Sequence, residues 1–130
     1  MITRILCLTA LTMGAAWAPA ALTDSHSLYE LRTYYANEGK IDALHDRFRS
    51  HTIALFEKHG MKNVAYWTPA DEPNTLIYII AHKSAEAAQA SWQAFVNDPA
   101  WQKVYSASIA DGRLVAKIDN VFMAKTDYSP

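Results

Sequence analysis

The chain has 130 residues, enough for one domain with a single core. Its 12 lysines and arginines stand against 13 acids, a formal net charge of −1, which excludes the strongly basic footprint of a nucleic-acid-binding protein. A hydrophobic content of 51% excludes intrinsic disorder, and a lone cysteine excludes an intrachain disulfide framework or a cysteine-rich zinc site.

The chain opens as an export signal. Residues 1–4 carry one positive charge, residues 5–18 carry none, and Ala16-Trp17-Ala18-Pro19-Ala20 is rich in small residues. This is the charged, apolar and cleavage-site order of a secretory signal peptide. The apolar run is shorter than the about 20 residues that cross a bilayer. Ala18-x-Ala20 places the cut after Ala20, making residues 1–20 the signal. Cys7 leaves with it, and a thiol-free product suits an oxidising compartment. The expected location is periplasmic or secreted, with no membrane attachment after cleavage.

Residues 28–35 read as a first strand in which Tyr29, Leu31, Thr33 and Tyr35 alternate with Leu28, Glu30, Arg32 and Tyr34. Asn37-Glu38-Gly39 ends it. Residues 40–59 read as a long helix with Ile41, Leu44, Phe48 and Leu55 on one stripe. Gly60 is its C-terminal cap, and Lys58 and His59 suit the negative end of the helix dipole. Residues 61–68 form a second strand, 69–74 a turn, and 75–82 a third strand with almost no polar side. Such a strand is buried on both faces. Ser84 caps a helix over 85–96, Asp98-Pro99 starts a short further helix, and Asp111-Gly112 turns into a last strand over 114–124.

The succession βαββαβ is the ferredoxin-like pattern of an α+β domain, with helices over one face of a four-stranded antiparallel sheet. The apolar third strand demands cover on the second face too. A homodimer that pairs two sheets supplies it.

Tyr29-Glu30-Leu31-Arg32-Thr33-Tyr34 resembles the start of a NIPSNAP domain, as does Gly39-Lys40 opening a long helix. So do Lys58-His59-Gly60-Met61 and the later Asn97-Asp98-Pro99-Ala100-Trp101. The resemblance covers residues 28–124. It implies membership of the dimeric α/β-barrel superfamily, in which two ferredoxin-like subunits pair their sheets. NIPSNAP domains have no agreed reaction, so the resemblance implies no mechanism. The superfamily includes cofactor-independent antibiotic biosynthesis monooxygenases and haem-degrading enzymes, which is analogy of fold.

Common catalytic signatures are absent: the glycines at 14, 39, 60 and 112 form no phosphate loop, and no H-E-x-x-H, G-x-S-x-G or C-x-x-C occurs. His45, between Ile41 and Phe48 on the helix stripe, is the candidate proton carrier. Thr52 lies further along toward the same region. His45 and His51 have poor helical spacing for a shared metal, and His45 and His59 stand about 20 Å apart at the helical rise. No metal and no cofactor are expected. Glu30 and Arg32, beside Tyr34 on one strand face, form a polar patch or an ion pair at the dimer interface. Tyr34, Thr52, Trp67, His82, Trp92, Trp101 and Tyr105 are the candidate ligand-binding set. The superfamily resemblance implies a cavity between helices and sheet, which aromatic walls would suit to a flat apolar molecule. Haem-binding relatives place a histidine near where Tyr105 stands, which argues against haem.

The expected function is therefore binding of a small apolar or aromatic ligand by an exported homodimer. The alternatives are a cofactor-independent monooxygenase or isomerase using His45 and a tyrosine, and a structural or interaction protein without a ligand.

Overall fold

A computed structural model describes residues 25–130, so the expected signal peptide and its cleavage site lie outside the described residues. The elements are β1 (Leu28–Ala36), α1 (Ile41–Arg47), a π-helical turn (Phe48–Thr52), α2 (Ile53–Lys58), β2 (Lys62–Trp67), β3 (Thr75–His82), α3 (Ala85–Asn97), α4 (Pro99–Ser108) and β4 (Val115–Met123). All strand pairs are antiparallel, in the order β2-β3-β1-β4. This is the ferredoxin-like α+β arrangement, with α4 as the extra helix.

Side chains alternate across a strand, so register decides which residues meet the helices. Tyr34, Arg32 and Glu30 stand opposite Leu76, Tyr78 and Ile80 of β3, and all of these lie on the helix-covered face. On the other face, Ala65, Ile79, Leu31 and Val121 form an apolar row across all four strands. Trp67 is 49% exposed and Val121 55% exposed on that face.

The expected long helix is present with a change of pitch. Ile53 N–H donates to Phe48 O, five residues back, so Phe48–Thr52 is a π turn within a continuous helical run. The physical reason lies in the spacing of the buried side chains. Leu44, Phe48, Thr52 and Phe56 are all buried. A stripe spaced every four residues drifts around an α-helix of 3.6 residues per turn, by about 40° at each step. The π turn takes up that drift. Phe56, rather than Leu55, therefore reaches the centre of the core, while Leu55 packs at its margin.

Helix ends follow their residues. Ser84 Oγ accepts from Ala87 N–H at 3.1 Å, and Asp98 Oδ1 accepts from Ala100 N–H at 2.8 Å, with Pro99 opening α4. Gly60 takes φ +79° after α2, letting Gly60 N–H reach Glu57 O and Met61 N–H reach Phe56 O. Asp98 Oδ2 also receives Lys58 Nζ and His59 Nε2, each at 2.7 Å. These hydrogen bonds, Lys58's foremost, hold the Asp98 carboxyl well below its ordinary range. They tie the end of α2 to the corner between α3 and α4, and His59 serves there as a tether.

Phe56 is the hub of the core. Its ring lies 5.0 Å from Phe95, 5.5 Å from Trp92, 6.0 Å from Tyr78 and 6.1 Å from Phe48, centroid to centroid. Phe56→Ala is expected to cost about 3–5 kcal/mol in urea unfolding. A loss under about 1 kcal/mol would mean that the helices do not close on the sheet through this ring.

Candidate functional site

Between the helices and the sheet lies a cavity of about 490 Å³. That is within the range of about 300–1,000 Å³ typical of small-molecule sites. Arg32 and Tyr34 line it from β1; Arg47, Phe48, Thr52 and Phe56 from the helical run; Trp92 and Phe95 from α3; Trp101 and Tyr105 from α4. Residues 113–118 close the β4 side.

The π turn shapes this lining. In a π turn, residue i lies beneath residue i+5, as i lies beneath i+4 in an α-helix. Arg47 and Thr52, five apart, therefore both reach the cavity, and Thr52 Oγ1 donates to Arg47 O at 3.2 Å.

The aromatic walls are mutually braced. Trp101 packs on Phe95 at 4.5 Å and on Tyr105 at 5.7 Å. Trp92 meets Phe95 edge-on at 5.6 Å. Tyr78 is fully buried, and its hydroxyl donates to Tyr34 Oη at 3.0 Å.

Two buried electrostatic arrangements adjoin the cavity. The first centres on Glu30, which is 1% exposed. Its Oε1 accepts from Arg32 Nη1 at 2.6 Å and Asn120 Nδ2 at 3.4 Å. Its Oε2 accepts from His82 Nε2 and Trp92 Nε1, each at 2.8 Å. Burial by itself would raise the carboxyl's pKa. The hydrogen bonds from His82, Trp92 and Arg32 outweigh burial, and the pKa falls to about 2. Arg32 also lies 4.4 Å from the Trp92 ring, so its charge is both paired and stacked.

The second is Arg47, 7% exposed. Nη1 donates to Ser108 Oγ at 3.1 Å, and the guanidinium lies 5.2 Å from the Trp101 ring and 5.6 Å from that of Tyr105. Among the described residues no carboxylate pairs with it, and its Nε is buried without a hydrogen-bond partner. Burial pushes the guanidinium below its ordinary pKa. Arginine nonetheless stays protonated in proteins.

Of the candidates from the sequence, Tyr34, Thr52, Trp92, Trp101 and Tyr105 line the cavity. His45, on α1, is half-buried and stands outside the lining. Trp67 belongs to the other sheet face. His82 is buried at the end of β3 against Glu30 and Phe122, also outside the lining. Glu30 and Arg32 do form an ion pair, but under the helices. The parity of β1 puts them on the helix-covered face, opposite the apolar row that includes Leu31. Arg47 is the residue that pattern reading passes over. Its signal is position: it stands three residues after Leu44 and one before Phe48, within the apolar arc of the helix. Among the described residues, no cluster of three or more His, Cys, Asp or Glu is placed to hold a metal ion, and no helix is long and apolar enough to cross a membrane.

The sheet order and the helices over one face define a ferredoxin-like domain with a cavity between helices and sheet. The chain belongs to the NIPSNAP family, whose model matches residues 29–130. A NIPSNAP family protein of unknown function from Agrobacterium tumefaciens is 25% identical, with a TM-score of 0.70 over 82% of this chain and 94% of that one. A second protein of the family from the same organism is 21% identical, with a TM-score of 0.71 over 81% of this chain and 98% of that one. A Nitrosomonas europaea protein provisionally named an antibiotic biosynthesis monooxygenase shares the fold at 15% identity, with a TM-score of 0.56 over 75% of this chain and 97% of that one. Among proteins of curated function, none matches the chain.

Glu30 has a folded pKa below its unfolded value of about 4.5. Its contribution to stability is therefore full above pH 4.5 and is lost as pH falls toward about 2. Glu30→Gln is expected to flatten that part of the acid-unfolding curve. It is also expected to cost about 3–5 kcal/mol at neutral pH, by leaving Arg32 buried without its counter-charge. An unchanged acid limb would remove Glu30 from this role.

Proposed function

We propose that this NIPSNAP domain binds a small, flat, largely apolar or aromatic molecule in the cavity between helices and sheet. The observation that carries the reading is the cavity itself. A domain of this size keeps about 490 Å³ open beside Trp101, Tyr105, Phe95 and Tyr34 rather than packing them shut. Interiors built only for stability are filled to near-crystalline density. That contrast favours binding over a purely structural role.

The working form is an exported homodimer. The residue 1–20 signal pattern supports export, with cleavage after Ala20. The apolar row Ala65, Ile79, Leu31 and Val121 supports a dimer, because a second copy's sheet is the natural cover for such a face.

A catalytic reading has one observation in its favour. Tyr34 lines the cavity and its hydroxyl is hydrogen-bonded to that of buried Tyr78, which suits proton handling in a cofactor-independent oxygenation or isomerisation. In that reading Tyr34 is better placed than His45, which lies outside the lining.

Native mass spectrometry of the protein purified from its own cells tests the binding, dimer and export readings together. The expected species is a dimer of chains beginning at Ala21 and carrying a retained small molecule. A bare monomer that keeps Cys7 would contradict all three.

A further inference from the structure

We propose that the ligand is an apolar carboxylate, most simply an aryl carboxylic acid, and that Arg47 receives its carboxylate group. This rests on the reading of the cavity as a ligand site and adds the ligand's charge and the residue that reads it.

Arg32 and Arg47 both line the cavity, and their partners differ. Arg32 is matched inside the chain: Glu30 takes its Nη1 at 2.6 Å, and Trp92 stacks on it. Arg47 is equally sequestered and has no such match. Its one side-chain hydrogen bond within the described residues is from Nη1 to the neutral Ser108 hydroxyl. The Nε of each arginine lacks a partner, so the difference between them is the carboxylate that Arg32 has and Arg47 lacks; no bond to a described residue uses Arg47 Nη2. Nε itself has no surface open to the cavity, so the donor free to meet an anion is Nη2 at the end of the guanidinium, where a carboxylate oxygen would accept a charge-assisted hydrogen bond. A buried charge left unpaired is destabilising, so an occupant that supplies the missing anion gains at this position.

The surroundings agree. The charged residues lining the cavity are Arg32, Arg47, Arg113 and Lys117, all cations, with no acid among them. Lys117 is already engaged by Asp119 at 3.0 Å, Arg32 by Glu30, and Arg113 is exposed, which leaves Arg47 as the buried cation to be matched. Trp101 and Tyr105 lie directly beside the Arg47 guanidinium, so a flat body joined to the carboxylate would meet their rings. Tyr34 adds a donor. Tyr78 is completely buried with Tyr34 Oη as its partner, so its hydrogen goes there, and the Tyr34 hydrogen remains available to the cavity.

The test is a binding panel on the purified protein at neutral pH, followed by tryptophan fluorescence and calorimetry. Benzoate, 2-naphthoate and indole-3-acetate are each compared with the corresponding neutral primary amide. At least one carboxylate is expected to bind about tenfold to a hundredfold more tightly than its amide, the range of a charge-assisted hydrogen-bonded pair. Arg47→Gln is expected to lower that carboxylate's affinity to the level of the amide while leaving the amide unchanged. Arg47→Lys is expected to retain part of the preference, as a positive charge without the planar guanidinium. Amides that bind as tightly as their acids would overturn the carboxylate assignment and leave the cavity reading standing. A preference that survives Arg47→Gln would overturn the role of Arg47. If no member of the panel binds, the carboxylate assignment fails along with the cavity reading. The acid-versus-amide comparison on the unsubstituted protein does not depend on any variant folding.

Discussion

The structure turns on how one buried carboxylate is satisfied. Glu30 sits on a central strand under the helices, where an isolated charge is very costly. It is held there by groups from four elements: Arg32 of its own strand, His82 of β3, Trp92 of α3 and Asn120 of β4. Two of these bonds shape the cavity. The Arg32 bond holds a cation against the Trp92 face, and the Trp92 bond fixes the angle of an aromatic wall. Because Glu30 spends its charge on Arg32, nothing on that side remains for Arg47.

The second constraint is the mismatch between a four-residue repeat and the α-helical period. Straight α-helix would carry Leu44, Phe48, Thr52 and Phe56 progressively around the axis and away from the sheet. One π turn restores them to a single face. The same turn brings Arg47 and Thr52 to the cavity. Fold stability and site geometry therefore share one local device, consistent with the frequent placement of such turns at functional sites.

Much of the fold is legible in the residues. The alternation of residues 28–35, the uninterrupted apolar run of β3, and the caps at Ser84, Asp98-Pro99 and Gly60 are local signals, and the elements stand where those signals put them. Less of the site is legible. Periodic reading assumes a constant pitch, so the π turn is invisible to it and Leu55 displaces Phe56 in the expected stripe. Arg47 is not singled out by periodicity, because basic residues usually lie on the solvated side of a helix, and only its place inside the apolar arc marks it. Trp67 shows a further limit. Both faces of β2 carry aromatic residues, so alternation alone does not say which face the helices cover. The Glu30 network is set by partners 52, 62 and 90 positions away, beyond the reach of any local pattern.

The central claim is that ligand enters between helices and sheet rather than on the apolar sheet face. The indole N–H resonances of Trp67, Trp92 and Trp101 separate these locations, because they report the open face, the Glu30 network and the cavity respectively. Titration with the best-binding aryl carboxylate, followed by two-dimensional proton–nitrogen NMR, is the direct measurement. The Trp101 resonance is expected to move with the bound fraction while that of Trp67 stays in place. Movement of Trp67 with an unchanged Trp101 would put the ligand on the sheet face and contradict it.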